Sequence, residues 1–234
     1  LTLSLTGEFN FKSLLEGEML QFNRMLYEMP CVKAVPTFNM EKKNEGFKTA
    51  SKVQYVASGG CFEKEGQEYT GALKVLKTIF SYDYLWVNVR VTGGAYGCMC
   101  SFSRNGYGFF TSYRDPNLSA TLDVYKKAAE YVKNFEAGQR DMTKYIIGTI
   151  SGIDQPLEPA ALGDRSFHAY QSGVTVEMIQ KERNQVLDAT EETIRSLAGY
   201  IETMMDAGTV CAIGNDRKLE EEKELFKKVS SLTQ

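Results

Sequence analysis

Hydrophobic and polar positions alternate, recur on a helical period, or give way to turn residues in distinct stretches of the chain. Residues 1–7, LTLSLTG, alternate with period two and predict a strand. In residues 10–28, Phe11, Leu14, Leu15, Met19, Leu20 and Phe22 fall at mostly helical spacing, and Pro30 and Pro36 close that helix. Residues 52–59, KVQYVASG, predict a second strand. Residues 69–90 are apolar on a helical period with a break near Ser81, and they run straight into the glycine-rich VRVTGGAYG.

The next signal is a hairpin. In YGCMCSFSRNGYGFFTSYRDP, Asn105-Gly106 has the composition of a two-residue turn. That turn sets Phe102 opposite Phe109, Cys100 opposite Thr111 and Cys98 opposite Tyr113. Asp115 then suits a helix N-cap and Pro116 the first helical position. Leu122, Tyr125, Ala128, Tyr131, Val132 and Phe135 form the inward stripe of the helix that follows.

Further helices are predicted at about 140–151, 175–187 and 190–206, with residues 152–173 read as a loop-rich connection. GTVCAIG is a short strand, and residues 217–231 are read as a last helix with Leu219, Leu225 and Val229 inward and its charge run solvated. Strands and helices are mixed and the hairpin is antiparallel. The fold class is therefore α+β, a mostly antiparallel sheet of about five or six strands with helices mainly on one face.

Composition narrows the function classes. A net charge of −3, with both signs interspersed, lacks the clustered basic face of a nucleic-acid binder. No run of about 18 apolar residues predicts a membrane span. The first residues lack a Met and a signal pattern and predict a fragment of a longer polypeptide. Five dispersed cysteines, Cys31, Cys61, Cys98, Cys100 and Cys211, make a poor disulfide framework and read as reduced thiols. On a strand, Cys98 and Cys100 share one face, which favours burial over metal binding.

His168 is the single histidine and carries no neighbouring motif, which favours a structural or exposed role. No zinc-peptidase helix motif, dinucleotide fingerprint or Walker pattern occurs, so no metal-ligating residues are assigned. Arg90 and Tyr96 flank the glycine loop. A guanidinium and a phenol on a loop of that freedom could grip a peptide or phosphate oxygen. Equally, the loop could be a tight helix-to-strand corner, with Arg90 paired to a carboxylate and Tyr96 packed in the hairpin.

Five segments bring in a family. NEGFKTASKVQYVASGG, YTGALKVLKTIFSYDYLWVNVRVTGGAYG, RNGYGFFTSYRDPNLSATLDVY, YIIGTISGIDQPLEPAALGDRS and EMIQKERNQVL resemble the last domain of presequence proteases, the pitrilysin/insulinase-type zinc metallopeptidases with an inverted zinc motif. The resemblance implies that residues 1–234 are one C-terminal domain of a four-domain peptidase. It implies no cofactor in this part and zinc in the N-terminal half, which would be the domain's partner along with short unstructured peptides. Arg90 and Tyr96 match an arginine and a tyrosine that bind substrate near the scissile carbonyl. The compartment implied is the cytoplasm of a bacterium, or the mitochondrial matrix or another organelle of a eukaryote. A non-catalytic scaffold or assembly domain of the same fold is the alternative. A free-standing hydrolase using Cys98 or Cys100 with His168 is a third reading.

Overall fold

The structure, a computed structural model, describes residues 2–8, 15–26, 36–38, 41–64 and 66–232. These divide into two compact units. One comprises Leu1–Met40 and Gln155–Ile179, the other Glu41–Asp154 and Gln180–Gln234.

In the first unit, residues 2–8 form no strand, so the expected alternating strand is absent there. A π-helical turn, Leu15–Met19, leads into α1, Leu20–Met25, and neither buries a residue. The rest of the helix expected over 10–28 lies outside the described residues. The stretch read as a loop-rich connection contains a helix, α5, Pro159–Gln171. Pro159 begins it, where a missing N–H costs nothing.

The second unit holds a six-stranded sheet among the described residues: β1 Glu45–Thr49, β2 Gln54–Cys61, β3 Gly97–Phe102, β4 Tyr107–Asp115, β5 Thr209–Asn215 and β6 Lys228–Ser231. Their order is β3-β4-β2-β5-β1-β6. The pairings β3·β4, β4·β2 and β2·β5 are antiparallel, while β1 runs parallel to both β5 and β6. The α+β expectation of a mostly antiparallel sheet holds, with a parallel corner at β1.

Helices α2 (Ala72–Ile79), α3 (Ser119–Lys133), α7 (Glu191–Ser196) and α8 (Ala198–Ala207) cover one side of this sheet and each other. Helix α4 (Gln139–Ile153) packs on α2 in turn. Helix α6, Val176–Leu187, contributes its part from residue 180 to this unit, and the short α9, Asp216–Glu221, sits by β1 and β5. The core centres on Phe110, which stacks on Tyr125 of α3 (5.4 Å between ring centroids) and meets Phe80 edge-on (5.3 Å). Four of the six stripe residues expected on α3 and its end, Leu122, Tyr125, Ala128 and Val132, are buried within it. Phe135 is buried just beyond, and Tyr131 is half-buried.

Two readings are corrected here. The hairpin loop has three residues, not two. Gly106 N–H bonds Ser103 O (3.1 Å), Ser103 N–H bonds Tyr107 O (2.8 Å), and Gly106 takes φ 81°. A type I turn closed by a left-handed glycine moves the register by one. Cys100 therefore faces Phe110, Cys98 faces Ser112 and Phe102 faces Gly108. A one-residue slip exchanges faces, and the slip is what puts Phe110 inside. The second correction is the chain end: the helix stops at Glu221, and residues 228–231 are strand β6.

Candidate functional site

The stretch before the glycine loop is helical but widened. After α2 the backbone continues in π-helical turns, Phe80–Tyr84 and Trp86–Thr92, of the kind that recur at functional sites. Val89 is buried while Arg90 keeps part of its surface. Gly94, at φ 80°, ends the helix by donating its N–H to Arg90 O (3.0 Å), a left-handed cap. Gly93 is needed for a different reason. A Cβ there would stand 2.5 Å from Val89 O. The loop is further tied down by the Asn117 side-chain amide, which donates to Gly93 O at 2.6 Å.

This turn brings Arg90 and Tyr96 side by side. Arg90 Nε donates to the Tyr96 carbonyl at 2.9 Å, and its guanidinium carbon lies 3.8 Å from the Trp86 ring centroid. The loop is a helix-to-strand corner, between Thr92 and Gly97, but among the described residues no carboxylate forms an ion pair with Arg90. Tyr96 is 66% exposed. Its N–H is held by Tyr113 O (3.1 Å) and Arg114 O (3.3 Å), and its ring meets Tyr113 edge-on at 5.6 Å. Arg90, Val91, Gly94, Ala95, Tyr96 and Arg114 line one shallow concavity of about 520 Å³. From it an aromatic row, Tyr96, Tyr113 and Tyr55, leads onto the sheet face opposite the buried Cys100, Phe110 and Ser112. There Met99, Phe109 and Ile213 are also exposed.

Asp115 and Pro116, expected as the N-cap and first position of a helix, lie in a turn ahead of it. Asp115 is fully buried, and its carboxylate accepts from Asn117 N–H (2.9 Å) and the Thr121 hydroxyl (2.7 Å). Helix α3 begins only at Ser119, so Asp115 anchors the turn before the helix rather than capping it directly. Arg114 lines the concavity, and the signal that could have marked it is a β-bulge that no local motif announces.

Among the described residues, no group of three or more His, Cys, Asp or Glu could hold a metal. The zinc implied by the resemblance belongs to the N-terminal half, and the described residues offer it no ligand set. None of the helices among them is long and apolar enough to cross a membrane.

Residues 44–216 of the chain match the family described as the PreP C-terminal domain. The chain belongs to the PreP C-terminal domain family. Among relatives, this PreP C-terminal domain is 45% identical over 195 residues to Protein HypA of Clostridium perfringens, covering 83% of this chain and 20% of that protein. It is 35% identical over 174 residues to Presequence protease 1, chloroplastic/mitochondrial, of Arabidopsis thaliana, covering 74% and 16%. The domain thus spans a fifth or less of these relatives' length. Its fold is also that of a peptidase M16 inactive domain from Pseudomonas fluorescens, with a TM-score of 0.63 at 15% identity over 87% of this chain and 51% of that one.

The cysteine–histidine hydrolase reading fails on chemistry. Burial pushes the Cys98 thiol up to about 11, with the Arg90 charge offsetting part of the rise, and the Cys100 thiol up to about 12. A nucleophilic cysteine needs the opposite shift. His168 lies exposed on α5, and Cys100 is buried on β3.

Proposed function

We propose that this chain is the C-terminal domain of a longer zinc metallopeptidase that degrades short unstructured peptides, and that Arg90 and Tyr96 bind the substrate near the scissile carbonyl. The observation that carries the proposal is the shared concavity. Arg90 keeps its terminal N–H groups, and Tyr96 its hydroxyl, without a hydrogen-bond partner among the described residues, on one wall open to solvent. Donors held in this way stabilise an oxygen that gains negative charge as a carbonyl becomes tetrahedral.

The glycine turn holds both side chains at one concavity, with the Arg90 Nε bond to the Tyr96 carbonyl and the Trp86 and Tyr113 rings fixing their direction. The aromatic row beside the concavity gives an extended peptide an apolar surface to lie on. The catalytic metal would be held by another part of the polypeptide, the N-terminal half, which this domain would close against. The bacterial relative, at 45% identity against 35% for the plant one, favours a bacterial source, and the compartment proposed is then the cytoplasm.

The experiment is Arg90→Ala in the full-length protein. Hydrolysis of an unstructured peptide should fall by roughly a hundredfold, with zinc content unchanged and stability lowered only by the lost bond to the Tyr96 carbonyl, about 0.5–1.5 kcal/mol. A scaffold domain would leave hydrolysis untouched, and that result would retire the proposal.

A further inference from the structure

Arg114 is the one non-glycine residue with positive φ, 49°, among the described residues. It lies where the β2·β4 register shifts between Gln54 and Val56, so that Tyr113 and Arg114 stand opposite Tyr55. This is a β-bulge, a device that re-aims a side chain. Left-handed backbone disfavours any residue with a Cβ, and glycine or asparagine is the usual occupant. If the position had only to turn the strand, glycine would serve better. What arginine adds is its side chain.

That side chain is exposed and lines the same concavity as Arg90 and Tyr96. Its guanidinium carbon lies 5.7 Å from the Tyr113 ring centroid, as that of Arg90 lies over Trp86. Both cations rest on aromatic rings, and among the described residues neither has a carboxylate in ion-pair range. The adjacent acid, Asp115, is turned inward onto Asn117 and Thr121. The bulge also sets Tyr96, whose N–H is shared by the Tyr113 and Arg114 carbonyls. Two uncompensated guanidiniums in one concavity exceed what a neutral carbonyl requires. The planar fork of arginine matches a carboxylate in two-point geometry.

We propose that Arg114 is a specificity-determining residue that binds a carboxylate of the bound peptide, either an acidic side chain or the free C-terminus. The proposal rests on the peptidase reading above.

The test uses the full-length peptidase and one unstructured peptide bearing a single Glu. Two partners accompany it, the same peptide with Glu→Gln and the same peptide with a C-terminal amide. Arg114→Gly should raise KM for the parent peptide about tenfold, the loss of one charge-assisted interaction. It should leave kcat within about twofold and barely change KM for whichever partner peptide lacks the bound carboxylate. That partner identifies the carboxylate. Arg114→Lys should recover part of the loss. The unfolding temperature of Arg114→Gly should equal or exceed the parent's, because glycine accepts the left-handed backbone without strain. If Arg114→Gly weakens all three peptides alike, weakens none, or lowers the unfolding temperature, the carboxylate assignment is overturned. Arg90→Ala, run in parallel, separates the two readings. If it lowers hydrolysis while Arg114→Gly does nothing, only the Arg114 proposal falls. If neither variant matters, the peptidase reading itself has failed.

Discussion

The glycines of the loop should respond very differently to alanine, and the differences follow from the geometry. At Gly94 an added Cβ has room, its nearest neighbour being Pro116 Cγ at 3.5 Å, but φ is 80°. The cost there is the left-handed backbone alone, about 1–2 kcal/mol. At Gly93 the Cβ would meet Val89 O at 2.5 Å and Asn88 O at 2.9 Å, both backbone atoms that cannot rotate away. Relieving the overlap moves a carbonyl that also accepts the Ala95 N–H at 3.1 Å. Overpacking of about 1–3 kcal/mol, plus a weakened hydrogen bond of about 0.5–1.5 kcal/mol, gives a cost of about 1.5–4.5 kcal/mol. At Gly97 nothing lies within 4 Å and φ is ordinary. Alanine there restricts the unfolded chain and should be neutral or stabilising by about 0.4–1 kcal/mol. Urea titrations followed by far-ultraviolet circular dichroism, with unchanged m-values, should rank the variants Gly93→Ala, Gly94→Ala, Gly97→Ala from least to most stable. A Gly97→Ala variant as damaged as the other two would refute the reasoning, as would a Gly93→Ala variant within about 0.5 kcal/mol of the parent.

Glu182 is buried and takes bonds from Arg104 Nη2 at 2.8 Å and Lys74 Nζ at 2.9 Å. Burial raises its carboxyl, but the two cations outweigh that and hold it below the usual 4.5. Its stabilisation is therefore complete above the unfolded value and lost as pH falls through the lower folded one. Glu182→Gln should cost about 1.5 kcal/mol at neutral pH, the low end for a charged bond because both cations are partly exposed. The gap should close in acid, and a pH-independent gap in urea midpoints would contradict this. Cys98 and Cys100, with thiols raised to about 11 and about 12, should resist iodoacetamide at pH 8 until the protein is unfolded. Rapid labelling of either in the native state would show the burial argument wrong.

Much of the fold could be read from periodicity because long stretches obey one period. The stripe of α3 was legible since its buried positions repeat three and four residues apart over fifteen residues. The end of the chain was not. Leu225 and Val229 are four apart, as on a helix face, yet Val229 sits in β6. A four-residue strand offers too few positions for a period-two pattern to stand out. Strand β1, EGFKT, failed for the same reason, having one large apolar residue. Helix α5 lies within residues 152–173, where two prolines and three glycines mask its period, although Pro159 opens the helix. The hairpin was found, but its register depends on whether Gly106 ends a two- or three-residue loop, and one dipeptide does not decide that. In the site, Arg90 and Tyr96 were readable from their glycine loop. Arg114 was not, because a bulge arises from the pairing of β4 with a strand some fifty residues earlier in the chain.

The central claim is that Tyr96 presents its hydroxyl to the reacting carbonyl, and removing that hydroxyl tests it most directly. Tyr96 is 66% exposed and its ring touches Tyr113 only edge-on, so Tyr96→Phe keeps the packing and should leave the unfolding temperature unchanged. In the full-length protein, kcat/KM for an unstructured peptide should fall by roughly a hundredfold to a thousandfold, about 2.7–4 kcal/mol of barrier. A Tyr96→Phe protein that keeps the parent kcat/KM, with zinc content equal to the parent's, would contradict the account.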